Sequence, residues 1–178
     1  MNHDAYDDAY ITDVLASCRS VAVVGASANA NRPSYFVIKY LVSKGYRVVP
    51  VNPGLAGQQI QGLAVAASLD EIGEPIDMVD IFRNSEAALE ITRDAIRLRD
   101  KLAIKVVWMQ LSVRNDEAAA LAEAAGLRVV MNRCPKIEYG RLSGEIGWAG
   151  VNPGIISSQR PKLSASGVQS HILARKGE

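Results

Sequence analysis

Residues 21–34 read Val-Ala-Val-Val-Gly-Ala-Ser-Ala-Asn-Ala-Asn-Arg-Pro-Ser, and this stretch constrains the fold more than any other. An apolar, β-branched run ends on Gly25, a short polar loop follows, and Pro33 falls in the first turn of an amphipathic helical pattern. Strand, turn and helix in that order make the opening unit of a nucleotide-binding α/β domain, with a loop able to hold a phosphate. The dinucleotide pattern G-x-G-x-x-G would need glycines at 27 and 30, where this chain has Ser27 and Ala30. A phosphorylated ligand is expected, and a nicotinamide dinucleotide is disfavoured.

The rest of the chain continues the alternation. Tyr6, Tyr10, Ile11, Val14 and Leu15 give residues 4–17 a helical spacing. Strands are expected over 21–24, 47–51, 76–82, 104–109 and 127–131, and helices over 33–44, 86–99 and 112–125, with Ser85 as a cap. Residues 57–62 read as loop, 63–65 as a short strand and 68–72 as a short capped helix. Alternating strands and helices require a mainly parallel sheet covered on both faces. Right-handed crossovers make it a doubly wound, Rossmann-like α/β sheet. One domain is expected over residues 1–160. The pattern weakens after Pro135, residues 146–154 are glycine-rich and partly apolar, and 161–178 form a polar tail.

The chain has 178 residues, enough for one domain, and 48 % of them are hydrophobic. Twenty Lys and Arg against 19 Asp and Glu leave a formal charge of +1, which disfavours a nucleic-acid polymer or a membrane surface as partner. No apolar run approaches the roughly 20 residues of a membrane span. The acidic start lacks the pattern of a signal peptide, and two cysteines are too few for a disulfide framework, so a reducing cytoplasm is expected.

In a doubly wound sheet, ligands bind beyond the C-terminal strand ends, where strand order reverses. Gly25, Ala26 and Ser27 would let a pyrophosphate approach the start of the following helix, unless the glycine serves only the turn. Arg32 would pair with phosphate or lie solvated on the surface. Asn52-Pro53 closes the second strand without the acidic residue that holds an NAD ribose, as a 3′-phosphorylated adenosine would require, or as a plain turn. Phe82 and Arg83 end the 76–82 strand, the former stacking on a base or filling core. Trp108 and Met109 face opposite sides of the sheet, and Gln110 would bond a ligand amide or cap the next helix.

Cys134, between Arg133 and Lys136, is expected to have a lowered thiol pKa, or to be an inert small apolar residue. Glu138 is the one carboxylate that can be placed beside the cleft. The histidines, His3 and His171, lie near the termini. No zinc spacing and no P-loop motif is present, so the sequence offers little machinery for acid–base catalysis.

Together these residues resemble the small stand-alone CoA-binding domain proteins, similar in turn to the CoA-binding domain of the succinyl-CoA synthetase α subunit. The likeness rests on Val21 to Ser27, Arg32-Pro33-Ser34-Tyr35, Gly45 to Pro53, Ile76 to Arg83, Val106 to Leu111, Val129 to Cys134 and Trp148 to Pro161. It implies coenzyme A held across the strand ends. Gly25, Ala26 and Ser27 would contact the pyrophosphate, with Arg32 and Pro33 near phosphates. Asn52 and Pro53 would border the adenosine. Phe82, Arg83, Trp108 and Gln110 would line the pantetheine route. Asn132 departs from an expected acidic residue.

The function expected is binding of CoA or a short acyl-CoA for carriage, sensing or thiol protection, the last through Cys134 and without evident catalysis. An NAD(P)-dependent oxidoreductase on the same scaffold, and a regulatory or scaffold protein with a vestigial cleft, are the alternatives.

Overall fold

The β-branched runs pair into a parallel sheet because each is apolar on both faces and short enough to be crossed by one helix. The computed structural model describes residues 1–145. The expected domain end at 160, the glycine-rich stretch 146–154, the 148–161 likeness and the 161–178 tail lie outside the described residues.

The strands are β1 (Ser20–Val24), β2 (Arg47–Val51), β3 (Gln59–Ile60), β4 (Leu63–Ala64), β5 (Met78–Ile81), β6 (Val106–Met109) and β7 (Arg128–Val130). The helices are α1 (Asp8–Ser17), α2 (Pro33–Ser43), α3 (Ser85–Arg97), α4 (Arg99–Leu102), α5 (Asp116–Ala124) and α6 (Pro135–Leu142). The main sheet runs β2-β1-β5-β6-β7, all parallel, and strand order reverses between β1 and β5. This is the doubly wound, Rossmann-like α/β architecture expected. Pro50 fits because β2 is an edge strand, where a missing N–H costs little.

Side chains alternate between two cores. One holds Val79, Ile81, Val107, Met109 and Val129 against α3 and α5 residues. The other holds Val21, Val23, Met78, Trp108 and Val130 against α1, α2 and α6. Trp108 and Met109 do face opposite sides. The stripe Val37, Ile38 and Leu41 buries α2, and Gly45 follows it at φ +79°, the left-handed conformation that ends helices.

Several boundaries differ from expectation for local reasons. Helix α1 begins at Asp8 because Asp7 caps it, its carboxylate accepting from Ala9 N–H. Asn84, not Ser85, caps α3, and Ser85 Oγ instead accepts from Arg114 N–H. Helix α5 begins at Asp116 behind its cap Asn115, since Ser112 has φ +67° and cannot continue a helix. The 57–62 loop contains β3, which pairs antiparallel with β4. Ser68 gives no side-chain cap to the 3₁₀ turn Leu69–Glu71. The segment after Pro135 is helix α6, hidden in the sequence by its central Gly140 and a narrow apolar face.

Candidate functional site

The C-terminal strand ends carry the loops that follow β1, β2, β5, β6 and β7. After β1 the chain turns at Gly25, φ +89°, and both Gly25 N–H and Ala26 N–H donate to Val51 O, at 2.9 and 3.2 Å. A Cβ at Gly25 would lie 2.6 Å from Phe82 O and 3.0 Å from Arg83 Cδ. The β5 exit therefore lies against the β1 turn, and only glycine permits both the conformation and the approach.

The loop is held by its own side chains. Ser27 N–H donates to Ser34 Oγ at 3.1 Å, Asn29 N–H to Ser27 Oγ at 3.2 Å, and Asn31 N–H to Asn29 Oδ1 at 2.9 Å. Asn52 ties the second loop to the first. Its Nδ2 donates to Ala26 O at 2.7 Å while its Oδ1 accepts from Gly54 N–H at 2.9 Å. An aspartate could not donate to Ala26 O, so the amide at 52 has a structural cause that the turn motif alone did not reveal. Pro53 then opens a 3₁₀ turn, Pro53–Leu55.

Arg32 and Pro33 stand at the start of α2, both exposed. Among the described α-helices, α2 alone has no acidic residue in its first turn, so its positive end is not neutralised from within. Arg83, also exposed, lays its side-chain stem on the Gly25 turn. Neither Arg32 nor Arg83 has an acidic partner among the described residues. Two free guanidinium groups, the open end of α2 and a small-residue turn suit a phosphorylated ligand.

The far wall is drier. Phe82 is half-buried against the α1/α2/α6 core. Trp108 is fully buried and donates its indole N–H to Arg133 O at 2.7 Å, so the ring presents no surface to a cleft. Gln110, 6 % exposed, does not cap α5, which Asn115 caps. Its Nε2 reaches both oxygens of Asp80, each at 3.0 Å. Asp80 is fully buried in β5, paired in register with Val23 and Trp108. Burial pushes its carboxyl up to about 8, opposed by the Gln110 amide.

Glu138 is therefore not the only carboxylate at this end of the sheet. It is buried, and the Arg141 guanidinium engages its Oε2 at 2.7 Å. Asp80 was the residue that sequence reasoning missed. Its signal was an acid inside the otherwise apolar Met78-Val79-Asp80-Ile81 strand.

Cys134 precedes α6 and is 7 % exposed. Its thiol pKa is raised, first by burial, against the favourable N–H groups of Ile137 and Lys136 and the charge of Lys136. This corrects the expected lowering, because desolvation outweighs the basic neighbours in sequence. Asn132 has φ +51°, which asparagine tolerates, and its Oδ1 accepts from Ser112 N–H at 2.8 Å.

The structure thus gathers Gly25, Ala26, Ser27, Arg32, Pro33, Asn52, Pro53, Phe82 and Arg83 around the β1/β5 reversal. It puts Trp108, Gln110 and Cys134 behind or beside that wall. No described helix is long and apolar enough to cross a membrane. No described group of three or more His, Cys, Asp or Glu could hold a metal ion.

Residues 19–140 match the family model described as CoA binding domain. YneT of Bacillus subtilis is 32 % identical over 131 residues, 74 % of this chain and 93 % of that protein. A protein from Pyrococcus horikoshii OT3 superposes with a TM-score of 0.72 at 36 % identity, covering 80 % of this chain and 96 % of its own. The dinucleotide-forming acetyl-coenzyme A synthetase 1 of Ca. Korarchaeum cryptofilum shares the fold, with a TM-score of 0.55 at 22 % identity. That likeness covers 67 % of this chain and 27 % of the synthetase.

Proposed function

This chain belongs to the CoA binding domain family, and on that premise we propose that it binds coenzyme A or a short acyl-CoA at the C-terminal strand ends, as a carrier or sensor. The observation that carries the reading is the β1/β5 crevice. There the Arg83 stem lies on the Gly25 turn and Arg32 stands at the N-terminus of α2, neither arginine having an acidic partner among the described residues. In the bound state the pyrophosphate lies on the 25–27 turn with its charge met by the two arginines. The adenosine lies toward Asn52 and Pro53, with an amide at position 52 in place of the acid that holds an NAD ribose. The pantetheine arm runs past Phe82 toward the end of β6.

The thiol-protecting form draws no support from Cys134, whose buried thiol is held protonated. The oxidoreductase alternative has neither the second and third glycines of the fingerprint nor an acid at 52, which is amide for a structural reason.

The test is a thermal-shift titration with CoA, acetyl-CoA, NAD⁺, NADPH and ATP. A ligand at 100 times its Kd stabilises a fold by about 2.7 kcal/mol, here a rise of roughly 5–10 °C. The reading expects that rise with CoA or acetyl-CoA. A rise with NAD⁺ or NADPH alone would replace it with the oxidoreductase, and no rise with any ligand would leave the scaffold alternative.

A further inference from the structure

Asp80 is a buried acid that the binding site as described does not use. It lies in the middle of the sheet, on the strand that flanks the β1/β5 reversal, with no exposed surface. Its neighbours in the sheet, Val23 and Trp108, carry no charge. Two polar groups act with it: the Gln110 amide at the end of β6, and the Cys134 thiol at the start of α6, whose pKa the Asp80 charge helps to raise. No described cation compensates the carboxyl.

Both Asp80 oxygens accept from the same Gln110 Nε2. An ionised carboxylate takes donors only, so it fixes the Gln110 amide with Nε2 inward. No described residue donates to Gln110 Oε1, which is left for whatever lies beyond β6. A protonated carboxyl needs an acceptor for its O–H, and Gln110 Oε1 is the acceptor within reach if the amide turns over. The two arrangements turn opposite ends of the amide away from Asp80.

We propose that Asp80 is a positioning residue of the ligand cleft, whose ionised carboxylate turns Gln110 Oε1 outward to accept a hydrogen bond from an amide N–H of the bound ligand. The proposal rests on the reading that the cleft takes CoA, whose pantetheine arm carries two such amides. It assigns Gln110 a defined polarity, acceptor, and makes affinity rise with pH as Asp80 ionises. By linkage, the bound ligand draws Asp80 toward its ionised form.

The experiment has two arms. In the ligand-free protein, the side-chain amide signals of Gln110 are followed by ¹⁵N NMR from pH 6 to 10. They are expected to move in one step that is absent from Asp80→Asn. Signals that do not titrate, or that titrate equally in Asp80→Asn, overturn the coupling whether or not CoA binds. In the second arm, acetyl-CoA, which lacks a titrating thiol, is bound at pH 7 and pH 9. Wild type is expected to tighten about fivefold, the worth of one hydrogen bond, and Gln110→Met to change less than twofold. A pH dependence equal in Gln110→Met and wild type, or affinity that falls with pH, overturns the assigned polarity. Absence of acetyl-CoA binding at either pH overturns the CoA reading and with it the ligand role, while the first arm still decides the Asp80–Gln110 coupling.

Discussion

Replacing Asp80 by asparagine should change how stability depends on pH, by an amount that follows from its burial. The folded-state pKa is about 8 against an ordinary 3.8. A raised acid pKa means the folded state holds a proton that the unfolded chain releases between those values. The group costs nothing below about pH 3.8, and its cost grows with pH until ionisation near 8 completes it. Each unit of pH in that window removes about 1.4 kcal/mol from wild type. Between pH 5 and 7 the loss is therefore about 2.7 kcal/mol. The amide in Asp80→Asn does not titrate. One of its N–H donors can reach Gln110 Oε1 once that amide turns over, and the other, left without a partner, costs about 1–3 kcal/mol, equally at every pH. Urea unfolding of both proteins at pH 5, 6 and 7 isolates Asp80, because every other titration cancels in the difference. The stability difference, variant minus wild type, should move by about 2.7 kcal/mol in the variant's favour from pH 5 to 7. Parallel profiles, within about 0.5 kcal/mol, would show that Asp80 does not hold a proton in the folded state over this range.

Three further outcomes follow from the crevice. Gly25→Ala forces a Cβ to 2.6 Å from Phe82 O at φ +89°, and should lower stability by about 2 kcal/mol or more in denaturant titrations. Asn52→Asp removes the donor to Ala26 O, should cost about 1–3 kcal/mol by the same assay, and should weaken CoA through the added charge. Arg32→Ala and Arg83→Ala should each leave stability within about 0.5 kcal/mol of wild type yet weaken CoA several-fold by calorimetry, with a smaller salt dependence.

The strands and most helices were legible because apolar runs of four or five residues are bounded by Gly, Pro and polar turns. The doubly wound parallel sheet followed from the strand–helix alternation and right-handed crossovers, and with it the collection of Gly25, Asn52 and Arg83 at the C-terminal strand ends, whereas the order β2-β1-β5-β6-β7 came from the structure. What the chain did not disclose were long-range partners. Asn52 read as half of an Asn-Pro turn, because nothing in sequence places Ala26 O beside it. Gln110 read as a cap or ligand contact, because Asp80 lies 30 positions away. Cys134 read either as a thiol lowered in pKa by Arg133 and Lys136 or as an inert apolar residue, since sequence displays neighbouring charge but not the burial that decides for the second. Helix α6 was obscured because Gly140 and two arginine- or lysine-bearing turns blur its apolar face, and its packing on α1 and α2 sustains it instead.

The most direct measurement is a titration of the ¹⁵N-labelled protein with CoA, followed by its backbone amide signals, beside an equal titration with NAD⁺. Saturable shifts with CoA are expected at Gly25 to Arg32, Asn52 and Phe82 to Arg83, and none of comparable size with NAD⁺. Shifts clustered elsewhere, or the same residues responding to NAD⁺ and not to CoA, would contradict CoA binding at the strand ends.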